Sequence, residues 1–161
     1  MSKFKLYEWI PPEADEQRAI MDPHEGWAVL NQSRYPELVL LHASMNGILT
    51  NAAFGAQLKR LGRKAGIPDL HLPVIRCYKD NICGGLFVEL KTKVGTLSDA
   101  QKRWKTWLEL AGYRVDVARG HREAIACLEF YLTLPRPLWL PEFVPFVAEN
   151  SPSNRRTVKS D

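Results

Sequence analysis

The sequence has no apolar run that could cross a bilayer: its longest, such as Leu38 to Ala43, stop far short of the roughly 20 residues a spanning helix needs. Its N-terminus shows no charged segment followed by an apolar one, so nothing there reads as a secretory signal. These absences predict an intracellular, cytoplasmic protein. Cysteine is scarce too. Cys77, Cys83 and Cys127 are an odd number without the paired spacing of a metal site, which argues against a disulfide framework or structural zinc and for reduced thiols. No internal repeat is visible, and no base-reading motif. The formal net charge is only +4, so any affinity for a polyanion must come from how the charges cluster rather than from their total.

What remains is 161 residues with 45% hydrophobic content, enough for one domain with an adequate core. After a lead-in from Met1 to Pro12, Glu13-Ala14-Asp15-Glu16-Gln17 opens a helix, with prolines ahead of it and acids in the first turn. Pro23 ends or kinks that helix, and Trp27, Ala28 and Leu30 suit a further turn. Leu38 to Ala43 reads as a buried strand stopping at the Asn46-Gly47 turn. Ala53, Phe54, Leu58 and Leu61 recur at helical spacing from Asn51 to about Lys64, with Gly66 closing that helix.

Asp69 to Cys77 and Leu86 to Thr92 read as two strands of a hairpin joined by an Asp80 to Gly85 connection. Ser98 and Gln101 form the two ends of a capping box for a third helix, with Trp104, Trp107, Leu108 and Leu110 as its apolar side and Gly112 as its end. Tyr113 to Val117 alternates as a strand, and His121 to Leu134 makes a fourth helix. The expected fold is therefore α/β in the order αβαββαβα, a mixed sheet flanked by helices, with the last strand parallel to Leu86–Thr92 because a helix connects them. Beyond Pro135 four of the 11 prolines crowd together, which predicts a boundary near residue 134 and an extended C-terminal segment ending in a disordered tail.

The chemistry concentrates in Phe87-Val88-Glu89-Leu90-Lys91. Glu89 and Lys91 lie two residues apart and share one face of a strand, where apolar residues would be expected. With Asp69 on a neighbouring strand, two carboxylates can hold a divalent cation beside an ammonium, an arrangement that suits phosphodiester cleavage. Plainer readings stand beside this one: Asp69 after Pro68 suits a turn, Glu89 and Lys91 a surface ion pair, and Gln101 nothing more than its cap.

Gly66-Ile67-Pro68-Asp69-Leu70, Phe87 to Thr92, Leu97-Ser98-Asp99-Ala100-Gln101 and Ala111-Gly112-Tyr113-Arg114-Val115 follow one another in the order typical of VRR-NUC domains, nucleases of the PD-(D/E)XK superfamily. The resemblance runs from about Glu13 to Leu132. It implies a restriction-endonuclease-like fold in which Asp69 and Glu89, with the Leu90 carbonyl, bind one or two Mg²⁺ or Mn²⁺ ions, Lys91 is the catalytic lysine and Gln101 completes the site. Family members also carry a glutamate on the first helix; Glu13 and Glu16 are the candidates, with Glu16 preferred. The Met21 to Gly26 interruption departs from the longer helix of the family and leaves that register open. Small single-domain members resemble viral or bacterial Holliday-junction resolvases, which implies a homodimer acting on branched DNA and leaving 5′ phosphates.

Two basic clusters flank these motifs. Lys59, Arg60, Arg63 and Lys64 precede Asp69, while Lys93, Lys102, Arg103 and Lys105 follow Lys91, and both suit phosphate contacts as well as solvated helix faces. His42 and His71 read as packed or surface residues, and Trp104 and Trp107 as core or dimer contacts ahead of base-stacking platforms. The competing enzyme reading is a flap or other branched-DNA nuclease, and the competing class a non-catalytic DNA-binding module of the same fold.

Overall fold

The computed structural model describes residues 12–44 and 52–145. Most of the lead-in, the Asn46-Gly47 turn and the tail beyond residue 145 lie outside the described residues. Helix α1 (Glu13–Met21) begins directly after Pro12 with Glu13, Asp15 and Glu16 in its first turn, where the helix dipole favours acids. It stops ahead of Pro23, and a short α2 (Trp27–Leu30) follows.

Pro36–Leu40 forms a 3₁₀ helix, and only His42–Ala43 (β1) joins a sheet, so the strand expected over Leu38 to Ala43 is mostly absent. Pro36 starts the 3₁₀ turn with its preset φ, and the hydrogen bonds Leu38 N–H to Tyr35 and Leu41 N–H to Leu38 continue it. A three-residue repeat buries Leu38 and Leu41 and leaves Val39 and Leu40 exposed, a pattern no fully buried strand would show.

Helix α3 (Ala52–Arg60) is closed by Gly62, not by Gly66 as expected. Gly62 has φ of +96°, its N–H bonds the Lys59 carbonyl and the Arg63 N–H bonds the Leu58 carbonyl, which together make a Schellman ending. Gly66 serves another purpose: a Cβ there would lie 2.7 Å from the Ala100 backbone, so the glycine lets this loop close on the start of α4 (Asp99–Leu110). Leu61, counted as an apolar position of α3, is exposed.

Strands β2 (Leu70–Leu72), β5 (Leu86–Lys91) and β6 (Arg114–Arg119) complete a four-stranded sheet in the order β1-β2-β5-β6. β2 is antiparallel to β1 and β5, while β6 is parallel to β5, as its helical connection predicts. Between β2 and β5 lies a separate hairpin, β3 (Arg76–Tyr78) and β4 (Asn81–Cys83), within a stretch expected to be strand end and loop. Its turn is Lys79-Asp80, with Lys79 at φ of +53°. The order αβαββαβα therefore omits α2, the 3₁₀ helix and this hairpin.

Helices cover both faces of the sheet. Leu70, Leu72, Leu86, Val88, Leu90 and Ala118 pack against Ile20, Leu38 and the Ala124, Leu128 and Tyr131 stripe of α5 (His121–Thr133). On the other face Phe87 and Val115 meet Leu108 and Trp104 of α4. Trp107 and Leu110, expected on α4's packing side, are instead exposed, because the side of α4 turned to the sheet carries Gln101, Trp104, Lys105 and Leu108. After α5 the chain runs without helix or strand through residues 135–145 and lines, with Glu37 and Arg76, an open cleft of about 340 Å³.

Candidate active site

Sheet register assembles the charged cluster. Leu70 pairs with Val88 and His71 with Phe87, so continuing the antiparallel ladder by one position sets Asp69 beside Glu89. Asp69 Oδ2 accepts the Leu90 N–H at 2.9 Å and its carbonyl accepts the Ser44 N–H, which anchors the residue at the strand end. All six residues of β5 are buried; Glu89 is 2% and Lys91 6% exposed. The surface ion-pair reading is thereby excluded. Two charges have been taken out of water, and they are tolerated because they satisfy each other.

Lys91 Nζ lies 2.8 Å from Glu89 Oε1, 3.1 Å from the Leu90 carbonyl and 3.3 Å from Glu13 Oε1. Gln101 Nε2 also donates to Glu89 Oε1. That amide is oriented by the capping box: its oxygen takes the Ser98 N–H at 2.8 Å, which leaves the NH₂ for Glu89. Gln101 thus fills its capping role and reaches the site with the same side chain. Glu89 Oε2 is buried with no hydrogen-bond donor.

Burial raises the Asp69 carboxyl above its ordinary value, against the lowering effect of the Leu90 N–H and the Lys91 charge. Burial likewise pushes Glu89 up to about 7, and the nearby Asp69 and Glu13 charges add to the shift. Desolvation works against the Lys91 ammonium, but the hydrogen bond and charge of Glu89, with those of Glu13, raise it above the usual lysine value. The cluster has more carboxylate than cation.

A hard divalent cation fits these donors. Asp69, just ahead of β2, and Glu89 on β5 offer carboxylate oxygens, the Leu90 carbonyl is 3.1 Å from Lys91 Nζ, and the buried, donorless Glu89 Oε2 is an acceptor that a cation would satisfy. Among the described residues no group of three or more His, Cys, Asp or Glu is arranged to encage a metal. An ion here would therefore retain several waters, as Mg²⁺ does.

The two first-helix glutamates separate. Glu13 reaches Lys91, whereas Glu16, the preferred candidate, accepts the His121 N–H at 2.7 Å and lies 2.5 Å from His121 Nδ1. One helical turn divides them, and Glu16 sits at the N-terminus of α5, where a carboxylate satisfies open N–H groups. Burial opposes its charge, but the His121 contacts hold it below the ordinary glutamate value.

A VRR-NUC domain model matches residues 15–122, a span that contains Asp69, Glu89, Lys91 and Gln101. The chain belongs to the VRR-NUC domain family. A solved structure described as a VRR_NUC domain protein is similar to it with a TM-score of 0.60 at 27% identity, covering 76% of this chain and 89% of that one. No curated protein matches the chain. The VRR-NUC domain is a nuclease domain, which gives this protein a nuclease-type function with DNA as substrate.

The basic residues of this VRR-NUC protein are unevenly placed. Lys59, Arg60, Lys64, Lys93, Lys102 and Arg103 are exposed, and Arg63 is half-buried. Lys105 is committed to Glu109 and the Val115 carbonyl, and Lys102 pairs with Asp99. His71 stacks on Phe87 at 3.9 Å between ring centroids, and burial, with the charge of His42, lowers it to about 4. It belongs to the packing beneath the site. His121 is the partner that motif reading passed over; a histidine opening a helix carries no local mark of a carboxylate 105 residues away. No helix among the described residues is long and apolar enough to cross a membrane.

Proposed function

We propose that this protein is a divalent-metal-dependent DNA endonuclease, selective for DNA structure rather than sequence, with Asp69, Glu89 and Lys91 at its centre as in the PD-(D/E)XK superfamily. The observation that carries the reading is the buried Glu89 carboxylate with an unmatched oxygen, neighboured by the half-buried Asp69 and set beside a buried ammonium. Asp69, Glu89 and the Leu90 carbonyl would hold Mg²⁺ or Mn²⁺. When bound, such an ion supplies Lewis acidity and a water of lowered pKa.

The chain's own residues do the rest. Lys91, kept charged by Glu89 and Glu13, faces the scissile phosphate and offsets charge building on its oxygens and on the leaving 3′ oxygen. Gln101 fixes the Glu89 carboxylate so that Oε1 is occupied and Oε2 is left for the cation. Lys59, Arg60, Arg63, Lys64, Lys93, Lys102 and Arg103 supply the phosphate contacts around the bond, and cleavage leaves 5′ phosphates.

Two substrates fit this chemistry. A homodimer resolving Holliday junctions would cut two symmetric strands, while a flap or other branched-DNA nuclease would act without that symmetry. The test is cleavage of labelled four-way junction, flap, single-stranded and duplex DNA with Mg²⁺, Mn²⁺ or EDTA, alongside light scattering for oligomeric state. Paired nicks by a dimer identify the resolvase, and metal-dependent cutting of the other forms identifies the flap enzyme. Absence of cleavage on every substrate would leave a DNA-binding module of the same fold.

A further inference from the structure

Helix α4 carries one aromatic residue that the fold does not use. Trp107 is 54% exposed, while its neighbour Trp104 is tied down, its indole N–H donating to the Ala65 carbonyl at 3.0 Å. The two rings meet at 5.6 Å between centroids and 77° between planes, so they form a corner. Lys64, Ala65, Ala100 and Arg103 complete a cleft of about 300 Å³ around it. The two alanines leave room, no acid lines the cleft, and neither Lys64 nor Arg103 forms a salt bridge with a described residue. Ala100 adjoins Gln101, whose amide holds Glu89, so the cleft and the carboxylate site are served by consecutive residues of one helix.

We propose that this cleft is a stacking subsite for an unpaired nucleobase of the DNA substrate, with Lys64 and Arg103 holding the phosphates on either side of it. The proposal rests on the nuclease reading and narrows its substrate class. An aromatic corner flanked by cations has the composition of single-strand binding tracks, where stacking draws in the base and the positive charges follow the backbone. Packing two copies of this chain through the same patch would bring Lys64 and Arg103 of each against the other, a like-charge contact that works against a dimer here. A base inside a duplex is already stacked and cannot enter the corner, so the occupant must be unpaired. The Trp104 N–H is already satisfied by Ala65, which leaves the Trp107 indole N–H as the cleft's one indole donor; stacking on the rings themselves accepts any base. A flap, gap or bulge beside the scissile bond offers such a base, whereas a fully paired four-way junction does not.

The test uses the full chain carrying Asp69→Ala, in EDTA, so that binding is measured without cleavage. Anisotropy of a short labelled oligothymidylate should show about 5- to 150-fold weaker binding for Trp107→Ala and a smaller loss for Trp107→Phe, while blunt duplex binding stays unchanged. Lys64→Ala with Arg103→Ala should reduce the salt slope for the single strand by about 0.7 per cation removed. Unchanged single-strand affinity in Trp107→Ala, or an equal loss on duplex, would overturn the proposal. So would a dimer that becomes monomeric on Trp107→Ala with DNA affinity intact, which would assign the patch to subunit contact. Failure of the Asp69-intact chain to cleave any DNA with Mg²⁺ or Mn²⁺ would remove the nuclease reading and leave this binding result standing.

Discussion

Arg76 meets Glu37, and Lys91 meets Glu89, across the same 2.8 Å and with all four side chains nearly out of solvent. Around Arg76 the charges balance. Burial disfavours the Glu37 charge, but the Arg76 hydrogen bond holds that carboxyl below its usual value. Arg76 also donates to the Leu132 and Ile75 carbonyls, so the pair ties the 3₁₀ helix, β3 and the end of α5 together. Around Lys91 they do not. One ammonium serves Glu89 and Glu13 with Asp69 close by, and Glu89 titrates near 7. A buried pair that balances is fastening. One with surplus carboxylate is built to receive positive charge from outside.

The sharpest way to break this comparison is to disable each cluster and ask what fails. Asp69→Ala and Lys91→Ala should each lower metal-dependent cleavage at least about 10²- to 10³-fold in single-turnover assays while the protein still folds. Arg76→Ala should do the reverse, costing about 3–5 kcal/mol in denaturant unfolding because Glu37 is left charged and alone, with cleavage per folded molecule unchanged. Equal effects of both on activity and stability would erase the distinction.

Neutral isosteres sharpen it further. Without metal at about pH 8, Glu89→Gln should raise stability by about 1–2 kcal/mol, since it removes carboxylate repulsion, whereas Glu37→Gln should lower it by about 1–3 kcal/mol.

The pH dependence should carry opposite signs as well. Glu89 binds its proton more tightly folded than unfolded, so between the ordinary value of 4.5 and about 7 the native state holds the extra proton. Stability in EDTA should therefore fall as pH rises through that window, by up to about 3 kcal/mol, and added Mg²⁺ should recover the loss at the alkaline end. Glu37 is shifted down, so its contribution is present above 4.5 and disappears on acidification. Denaturant curves across the range with and without Mg²⁺ would read both limbs. The smallest effect expected is that of Ser98→Ala, about 1 kcal/mol of stability from the lost bond between the Gln101 N–H and Ser98 Oγ, with cleavage little changed because the Ser98 backbone N–H still orients the Gln101 amide.

Much of this arrangement was legible along the chain. The Ser98 and Gln101 capping box and the Gly112 ending of α4 depend on neighbours within a turn, and the structure shows both. The parallel pairing of β6 with β5 followed from the helix between them. Leu38 to Ala43 misled because an apolar run does not announce its period; Pro36 and the reach of Glu37 to Arg76 selected a 3₁₀ turn. The β3–β4 hairpin was hidden by Asn81 in its second strand and by Gly84-Gly85 directly after it. Between Glu13 and Glu16 local electrostatics are equal, since both suit a helix start.

Sequence alone thus determined the pieces that short-range chemistry controls: where α4 begins and ends, which strand carries Glu89 and Lys91, and which family the motifs belong to. Tertiary structure decided which groups meet. It placed Asp69 beside Glu89 through strand register, sent Glu13 to Lys91 and Glu16 to His121, joined Arg76 to Glu37 across 39 residues, and left Trp107 facing solvent. Each of these depends on how helices and strands dock, and docking is set by the whole buried surface rather than by any residue's neighbours in the chain.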